Sequence, residues 1–253
     1  MKNYALIGKR LGHSYSQRYF EELFAHLGLS DHTYRLAEME DLSLLRKWVV
    51  DEGIAGFNVT IPYKKAVLPL LDAVDISATA IGAVNCVTVK EGLLTGHNTD
   101  APAFGQTIDE DPAWALGEDT LALVLGTGGA AKAVGYALKE RGQDCYYVSR
   151  KPITGTSIGY DDAYRQVSAW NPKHPNGRIL IVNATPVGMY PDTEGNPWSR
   201  MDLIDRRCLV YDLIYNPSPT LLLKQAAERG ATTKNGLAML YRQAELSWEL
   251  FRS

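Results

Sequence analysis

The chain is poor in the residues that staple small folds or hold metals. Its three cysteines, Cys86, Cys145 and Cys208, are far apart, odd in number and in no CxxC pattern, which disfavours a disulfide framework or a structural zinc site. Five histidines show no HExxH or HxxxH spacing, so no metal is expected. No apolar run approaches the ~18 residues of a membrane span, and the first, Tyr4 to Gly8, is too short for a signal-peptide core; a soluble cytoplasmic protein is expected. A basic excess is missing as well. Lys and Arg number 26 against 29 Asp and Glu, a net charge of -3, which argues against nucleic-acid or anionic-membrane partners and makes a small molecule the default ligand.

What is present is ordinary globular composition, 45% hydrophobic and 22% charged over 253 residues, enough for two modest domains or one large one. Strand-like apolar runs alternate with helix-length amphipathic segments, the pattern of an α/β protein with mostly parallel sheets. Strands are expected at Tyr4 to Gly8, His32 to Leu36, Ile54 to Val59, Ala83 to Lys90 and Leu93 to Gly96. Helices are expected at Ser16 to Leu27, Leu42 to Val50 and, following Pro62, Tyr63 to Leu71. A second series has strands at Thr120 to Leu125, Cys145 to Val148, Ile179 to Val182 and Leu209 to Leu213. Its helices run from the glycine turn to Arg141, from Thr220 to Arg229 and from Leu237 to Phe251. Segment 109 to 119 reads as the linker, and 151 to 177 as a polar stretch rich in Pro and Gly.

Between the strand ending at Leu125 and the helix that follows stands Gly126-Thr127-Gly128-Gly129-Ala130-Ala131. In a mononucleotide-binding unit Gly126 permits the tight turn, Gly128 lets backbone approach a pyrophosphate, and Ala131 allows close helix packing. A P-loop is disfavoured, because Ala131-Lys132-Ala133 stands where Gly-Lys-Ser/Thr is required. At the end of the next strand an acidic residue would bind a ribose 2'-hydroxyl, but here the chain reads Ser149-Arg150-Lys151. Two cations and no carboxylate favour a 2'-phosphate, hence NADP over NAD. The competing reading is a solvated surface turn.

In the first hundred residues three polar clusters follow predicted strands, His13-Ser14-Tyr15-Ser16, Asn58-Val59-Thr60-Ile61-Pro62-Tyr63-Lys64 and Asn98-Thr99-Asp100, and a fourth, Gly82-Ala83-Val84-Asn85, opens one. Such loops converge on one crevice in parallel α/β folds, and their hydroxyls, amide, ammonium and carboxylate suit a small polyhydroxylated acid. Each also has a bland reading. Ser14 or Ser16 would cap the following helix, Asp100 would cap the helix beginning near Ala101, and Lys64, beside Lys65, would be an exposed surface lysine.

With Asn183-Ala184-Thr185-Pro186-Val187-Gly188-Met189, Tyr211-Asp212-Leu213-Ile214-Tyr215-Asn216-Pro217 and Gly236-Leu237-Ala238-Met239-Leu240 before Gln243-Ala244, these stretches run in order along nearly the whole chain. In this the sequence resembles the shikimate dehydrogenase family. The resemblance implies an N-terminal α/β substrate domain (1 to 100 with 237 to 253) and a Rossmann-like NADP-binding domain (101 to 236), the C-terminal helix returning to the first. It implies reversible NADPH-dependent reduction of 3-dehydroshikimate to shikimate by a monomer or homodimer. Lys64 and Asp100 fall on the family's catalytic pair, and Ser14, Ser16, Thr60, Asn85, Asp100, Tyr215 and Gln243 on its substrate contacts. Gly126, Thr127, Gly128, Gly129, Ala130, Ser149, Arg150, Lys151, Leu213 and Gly236 fall on its NADP contacts. The chain departs from the family pattern at Arg10, Gln17, Phe20, Cys86, Ala101 and the Ser149-Arg150-Lys151 loop, none of which removes a catalytic group. Alternatives are a quinate/shikimate dehydrogenase with relaxed substrate or NAD use and, from another class, a catalytically silent nucleotide-binding module.

Overall fold

Tyr4 to Ile7 is an unbroken apolar run, and a strand of that kind is stable only with both faces covered. A computed structural model, describing residues 1–12 and 15–253, shows how this is met. Two compact units form, Met1–Ala103 with Leu240–Ser253, and Phe104–Met239.

The first unit contains β1 (Lys2–Gly8), α1 (Tyr15–His26), β2 (His32–Glu38), α2 (Leu45–Asp51), β3 (Ile54–Val59), α3 (Tyr63–Ala66), β4 (Ala73–Val74), α4 (Ile76–Ile81), β5 (Cys86–Lys90) and β6 (Leu93–His97). It also holds the start of α5 (Asp100–Asp109). The sheet order is β2-β1-β3-β5-β6-β4. β1 pairs in parallel with β2 and β3, whereas β5 runs antiparallel to β3 and β6, so this sheet is mixed. The β5–β6 hairpin turns at Glu91 and Gly92, both with positive φ as a two-residue type I' turn requires. On one face Ala5 and Ile7 pack with Val49, Phe57, Val67 and Ala78. On the other, Tyr4 and Leu6 meet Phe20 and Phe24 of α1 together with Ala244, Trp248 and Phe251 of the C-terminal segment. Gly56 on β3 leaves room for that segment, since a Cβ there would lie 2.5 Å from Phe251 Cδ1.

The second unit contains β7 (Thr120–Leu125), α6 (Gly129–Lys139), β8 (Cys145–Val148), α7 (Tyr160–Lys173), β9 (Arg178–Asn183), β10 (Cys208–Asp212), α8 (Leu221–Glu228) and β11 (Thr232–Lys234), then the start of α9 (Leu237–Arg252). Its strands run in parallel in the order β11-β10-β9-β7-β8. The winding direction therefore reverses between β7 and β9, the switch point at which ligands bind in open parallel sheets. The core here joins Leu123, Leu125, Val148, Ile181, Val210 and Trp198.

Several local expectations are corrected. The polar stretch 151 to 177 contains α7, whose Ala163 and Val167 are buried at i and i+4; small and aromatic residues carry its periodicity instead of Leu and Ile. The stretch 109 to 119 is part of the second unit, with Trp114 fully buried and edge-on to Tyr211, and the unit boundary falls inside α5. The helix expected over Tyr63 to Leu71 stops at Ala66, and a 3-10 turn at Leu68–Leu70 follows, with Pro69 unable to supply an amide hydrogen. Helix α4, unexpected from the sequence, is one and a half turns long and is capped by Asp75, which accepts from Ala78 N.

Candidate active site

In the first unit β3 ends at Val59, and the turn through Thr60 leads into α3, which carries Lys64. Backbone bonds tie this turn to its neighbours: Thr60 N donates to Ile7 O, Val59 N to Asn85 O, and Val84 N to Lys64 O. The segment before β5, holding Asn85, is thereby anchored beside α3. Lys64 Nζ donates to Asp100 Oδ2 over 2.5 Å. The lysine side chain is 17% exposed and the aspartate 7%, so Lys64 is not an ordinary surface lysine.

Asp100 stands at the start of α5 but does not cap it. Asn98 does, accepting from Ala101 N and donating to Ala83 O. Both Asp100 oxygens are thus left for side chains: Oδ2 for Lys64, and Oδ1 for Asn85 Nδ2 at 2.9 Å. Asn85 is 2% exposed and held on every side. Its Nδ2 also donates to Thr99 Oγ1 and, over 3.4 Å, to Gln243 Oε1, while its Oδ1 accepts from Thr99 N. Gln243, 158 positions away in sequence, arrives on α9 and is oriented by its own donation to Leu240 O. A carboxylate that accepts from an ammonium and an amide, with its hydrogen bonds made in a nearly dry setting, is rigid and needs no rearrangement to meet a ligand.

Of the other residues expected to touch substrate, Ser16 is buried in α1 and Thr60 is half-buried. Tyr215, half-buried, follows β10 in the second unit. Ser14 lies outside the described residues.

The glycine turn sits at the switch point of the second unit. Gly126, just past β7, has φ of +110°, and a Cβ there would lie 3.1 Å from Ala184 O, just past β9; only glycine suits this position. Gly128 opens α6 with no side-chain cap, and a Cβ there would meet nothing within 4 Å. The unpaired amides of the helix's first turn and its dipole favour an anion. Thr127, Gly129 and Ala130 complete the turn. Past β8, Lys151 N donates to Ser149 Oγ, which donates in turn to Lys151 O; this small turn presents Arg150 and Lys151 to solvent. Neither forms a salt bridge among the described residues. Leu213 and Gly236 come together, for a Cβ on Gly236 would lie 2.0 Å from Leu213 O.

Sequence reasoning passed over two groups next to these positions. Ser247 is fully buried one helical turn beyond Gln243, at the i+4 spacing that a helix brings to one face. Asp212, fully buried at the end of β10, accepts from Asn183 Nδ2, Ile214 N and Thr220 Oγ1. Burial pushes its carboxyl up to about 6 against the opposing pull of those hydrogen bonds.

An α/β unit holding a buried lysine–aspartate pair, together with a parallel α/β unit whose glycine turn lies at the switch point, defines the two-unit dinucleotide-binding class of α/β proteins. Residues 6–87 match the family model described as the shikimate dehydrogenase substrate binding domain. The chain is 37% identical over 255 residues to a shikimate dehydrogenase (NADP(+)) of Clostridium beijerinckii, covering 100% of this chain and 92% of that one. It is also similar to the crystal structure of shikimate dehydrogenase 1 from Peptoclostridium difficile, with TM-score 0.85, 34% identity and coverage of 100% and 92%. The shikimate 5-dehydrogenase of Thermus thermophilus, solved in complex with NADP(H) and shikimate, has TM-score 0.80, 33% identity and coverage of 99% and 93%. The chain belongs to the shikimate dehydrogenase family.

Proposed function

We propose that this protein is an NADP-dependent shikimate dehydrogenase, catalysing the reversible reduction of 3-dehydroshikimate to shikimate on the route to chorismate and the aromatic amino acids. The observation that carries this reading is the Lys64–Asp100 pair, nearly buried and braced by Asn85. A merely structural role gives little reason to bury this pair, since a well-packed apolar pair is often as stable or more so.

In the proposal residues 1 to 100 and 237 to 253 bind substrate, through Ser14, Ser16, Thr60, Asn85, Asp100 and Gln243. Residues 101 to 236 bind NADP and contribute Tyr215 to the substrate. Gly126 to Ala130 take the pyrophosphate, Arg150 and Lys151 the 2'-phosphate beside Ser149, and Leu213 and Gly236 a further part of the cofactor. The fit rests on the positive φ of Gly126, the uncapped start of α6 and the exposed cations. NADPH supplies the hydride when bound.

The protein's own work is binding and proton handling. The Lys64 ammonium has three hydrogens and spends one on Asp100, so another is available to the oxygen developing charge at C3. Each Asp100 oxygen accepts one bond within the protein and retains a lone pair, enough to receive a substrate hydroxyl. In the reverse direction the Lys64–Asp100 pair relays the alcohol proton outward. Cytoplasmic placement and a monomeric or homodimeric state complete the proposal. Among the described residues no helix is long and apolar enough to cross a membrane. NADPH oxidation followed with 3-dehydroshikimate is the direct test: turnover is expected, and absence of turnover in the folded protein rejects the assignment.

A further inference from the structure

Behind the Lys64–Asp100 pair lies a chain of buried polar groups, Tyr34, Asn58, Ser247, Thr99 and Asn85, each at most 5% exposed. Ser247 Oγ lies 2.8 Å from Gln243 O, 2.8 Å from Asn58 Nδ2 and 3.2 Å from Thr99 Oγ1. Thr99 Oγ1 in turn lies 2.9 Å from Asn85 Nδ2.

A hydroxyl has one hydrogen to give, so this arrangement can be solved by counting. Around Thr99 Oγ1, Asn85 Nδ2 is a donor and requires an acceptor; the hydrogen of Thr99 therefore goes to Ser247. Ser247 Oγ then accepts from Thr99 and from Asn58 Nδ2, and its own hydrogen goes to Gln243 O. Asn58 is held in the same sense, since its Oδ1 accepts from Tyr34 Oη. At the other end, three acceptors surround Asn85 Nδ2, and its two hydrogens go to the nearer two, Thr99 Oγ1 and Asp100 Oδ1, each at 2.9 Å, with Gln243 Oε1 farther off at 3.4 Å. This assignment gives each of these hydrogens an acceptor, with the buried Cys86 thiol a further hydrogen-bonding neighbour of Ser247.

We infer that Ser247 is a positioning residue, the hydroxyl that sets the hydrogen-bond direction through Thr99 and Asn85 by which Asp100 is oriented for Lys64. The inference rests on the proposed dehydrogenase reading for its kinetic consequence but not for its geometry. Removing the hydroxyl deprives the Thr99 hydrogen of its acceptor, so that the Thr99 hydroxyl is no longer held in one direction and the Asn85 amide that braces Asp100 is loosened. The substrate's other contacts stay in place, so the loss falls on turnover more than on binding.

The test compares Ser247→Ala, Thr99→Val, Thr99→Ser and the Ser247→Ala/Thr99→Val double variant. Each of Ser247→Ala and Thr99→Val is expected to lower kcat about three- to tenfold with KM for shikimate within about twofold, as for the loss of one neutral hydrogen bond. The double variant should lose little more than either single one, because both cut the same relay. Thr99→Ser, which keeps the hydroxyl, should stay near wild type. In nitrogen-15 spectra the Asn85 side-chain amide should move in Ser247→Ala and Thr99→Val but not in Thr99→Ser. Multiplicative losses in the double variant, or an Asn85 resonance unmoved by Ser247→Ala, overturn the inference. Because the spectra need no turnover, a wild-type protein inactive toward shikimate rejects the functional reading and leaves this relay still under test.

Discussion

Asn85 donates to Asp100 Oδ1 over 2.9 Å and leaves Oδ2 to Lys64, so the carboxylate is gripped at both oxygens. Replacing that amide with an acid reverses the interaction at one oxygen, since two carboxylates so close disfavour joint ionisation. Asn85→Asp should reduce kcat/KM for shikimate by at least about a hundredfold. Steady-state rates within about tenfold of wild type contradict the bracing role.

Lys64→Ala removes the only cation within hydrogen-bond distance of Asp100 among the described residues and leaves a buried carboxylate partly uncompensated. Two effects are expected together. Turnover should fall about 10²- to 10⁴-fold, the usual contribution of a proton-transfer group. Stability to urea should also fall, by up to about 3–5 kcal/mol, the cost of stranding one member of a buried pair. A variant retaining kcat within about tenfold excludes Lys64 from proton transfer.

Arg150 and Lys151 stand exposed beyond β8 without an acidic partner among the described residues. Arg150→Ala should weaken NADPH far more than NADH, since only the former offers a 2'-phosphate to a guanidinium. Titration of both cofactors decides the matter. Equal losses remove the phosphate assignment.

Asp212, with its carboxyl raised to about 6 by burial, holds its proton more tightly folded than unfolded. Its contribution to stability is therefore fully present below an ordinary aspartate's value, near about 3.9, and is lost as pH rises through about 6. The change amounts to about 3 kcal/mol. Urea denaturation of wild type and Asp212→Asn between pH 4 and 8 should show the wild type losing stability relative to the variant across that window. A flat difference rejects the raised value.

Gly236→Ala places a methyl group 2.0 Å from Leu213 O, where backbone must shift. A loss of about 1–3 kcal/mol in stability is expected, as for overpacking elsewhere. Weaker NADPH binding should accompany it. Unchanged cofactor affinity removes Leu213 and Gly236 from the proposed site.

The local order of this protein is written in short stretches. The apolar run of β1, the turn before β6 and the strand, glycine turn and helix around Gly126 each carry their pattern within a short stretch of chain, and the sequence alone locates them. The motif residues Lys64, Asn85, Asp100 and Gln243 are likewise legible as candidates. Helix α7 was less legible because its buried face is made of alanine, valine and aromatics within a polar segment. Which role each polar residue takes is another matter. Asn98 and Asp100 are equally good caps on paper, and the choice of Asn98 depends on its second bond to Ala83 O across the fold. Ser247 reads as a small residue on a helix until α9 packs against β1 and brings it 2.8 Å from Asn58, 189 positions away. Periodicity and turn chemistry are local properties, so sequence determined most of the elements, though not α4 or α7, and the candidate groups. Hydrogen-bond partnership among buried side chains is non-local, and only the tertiary packing decided which hydroxyl, amide and carboxylate would share their few hydrogens.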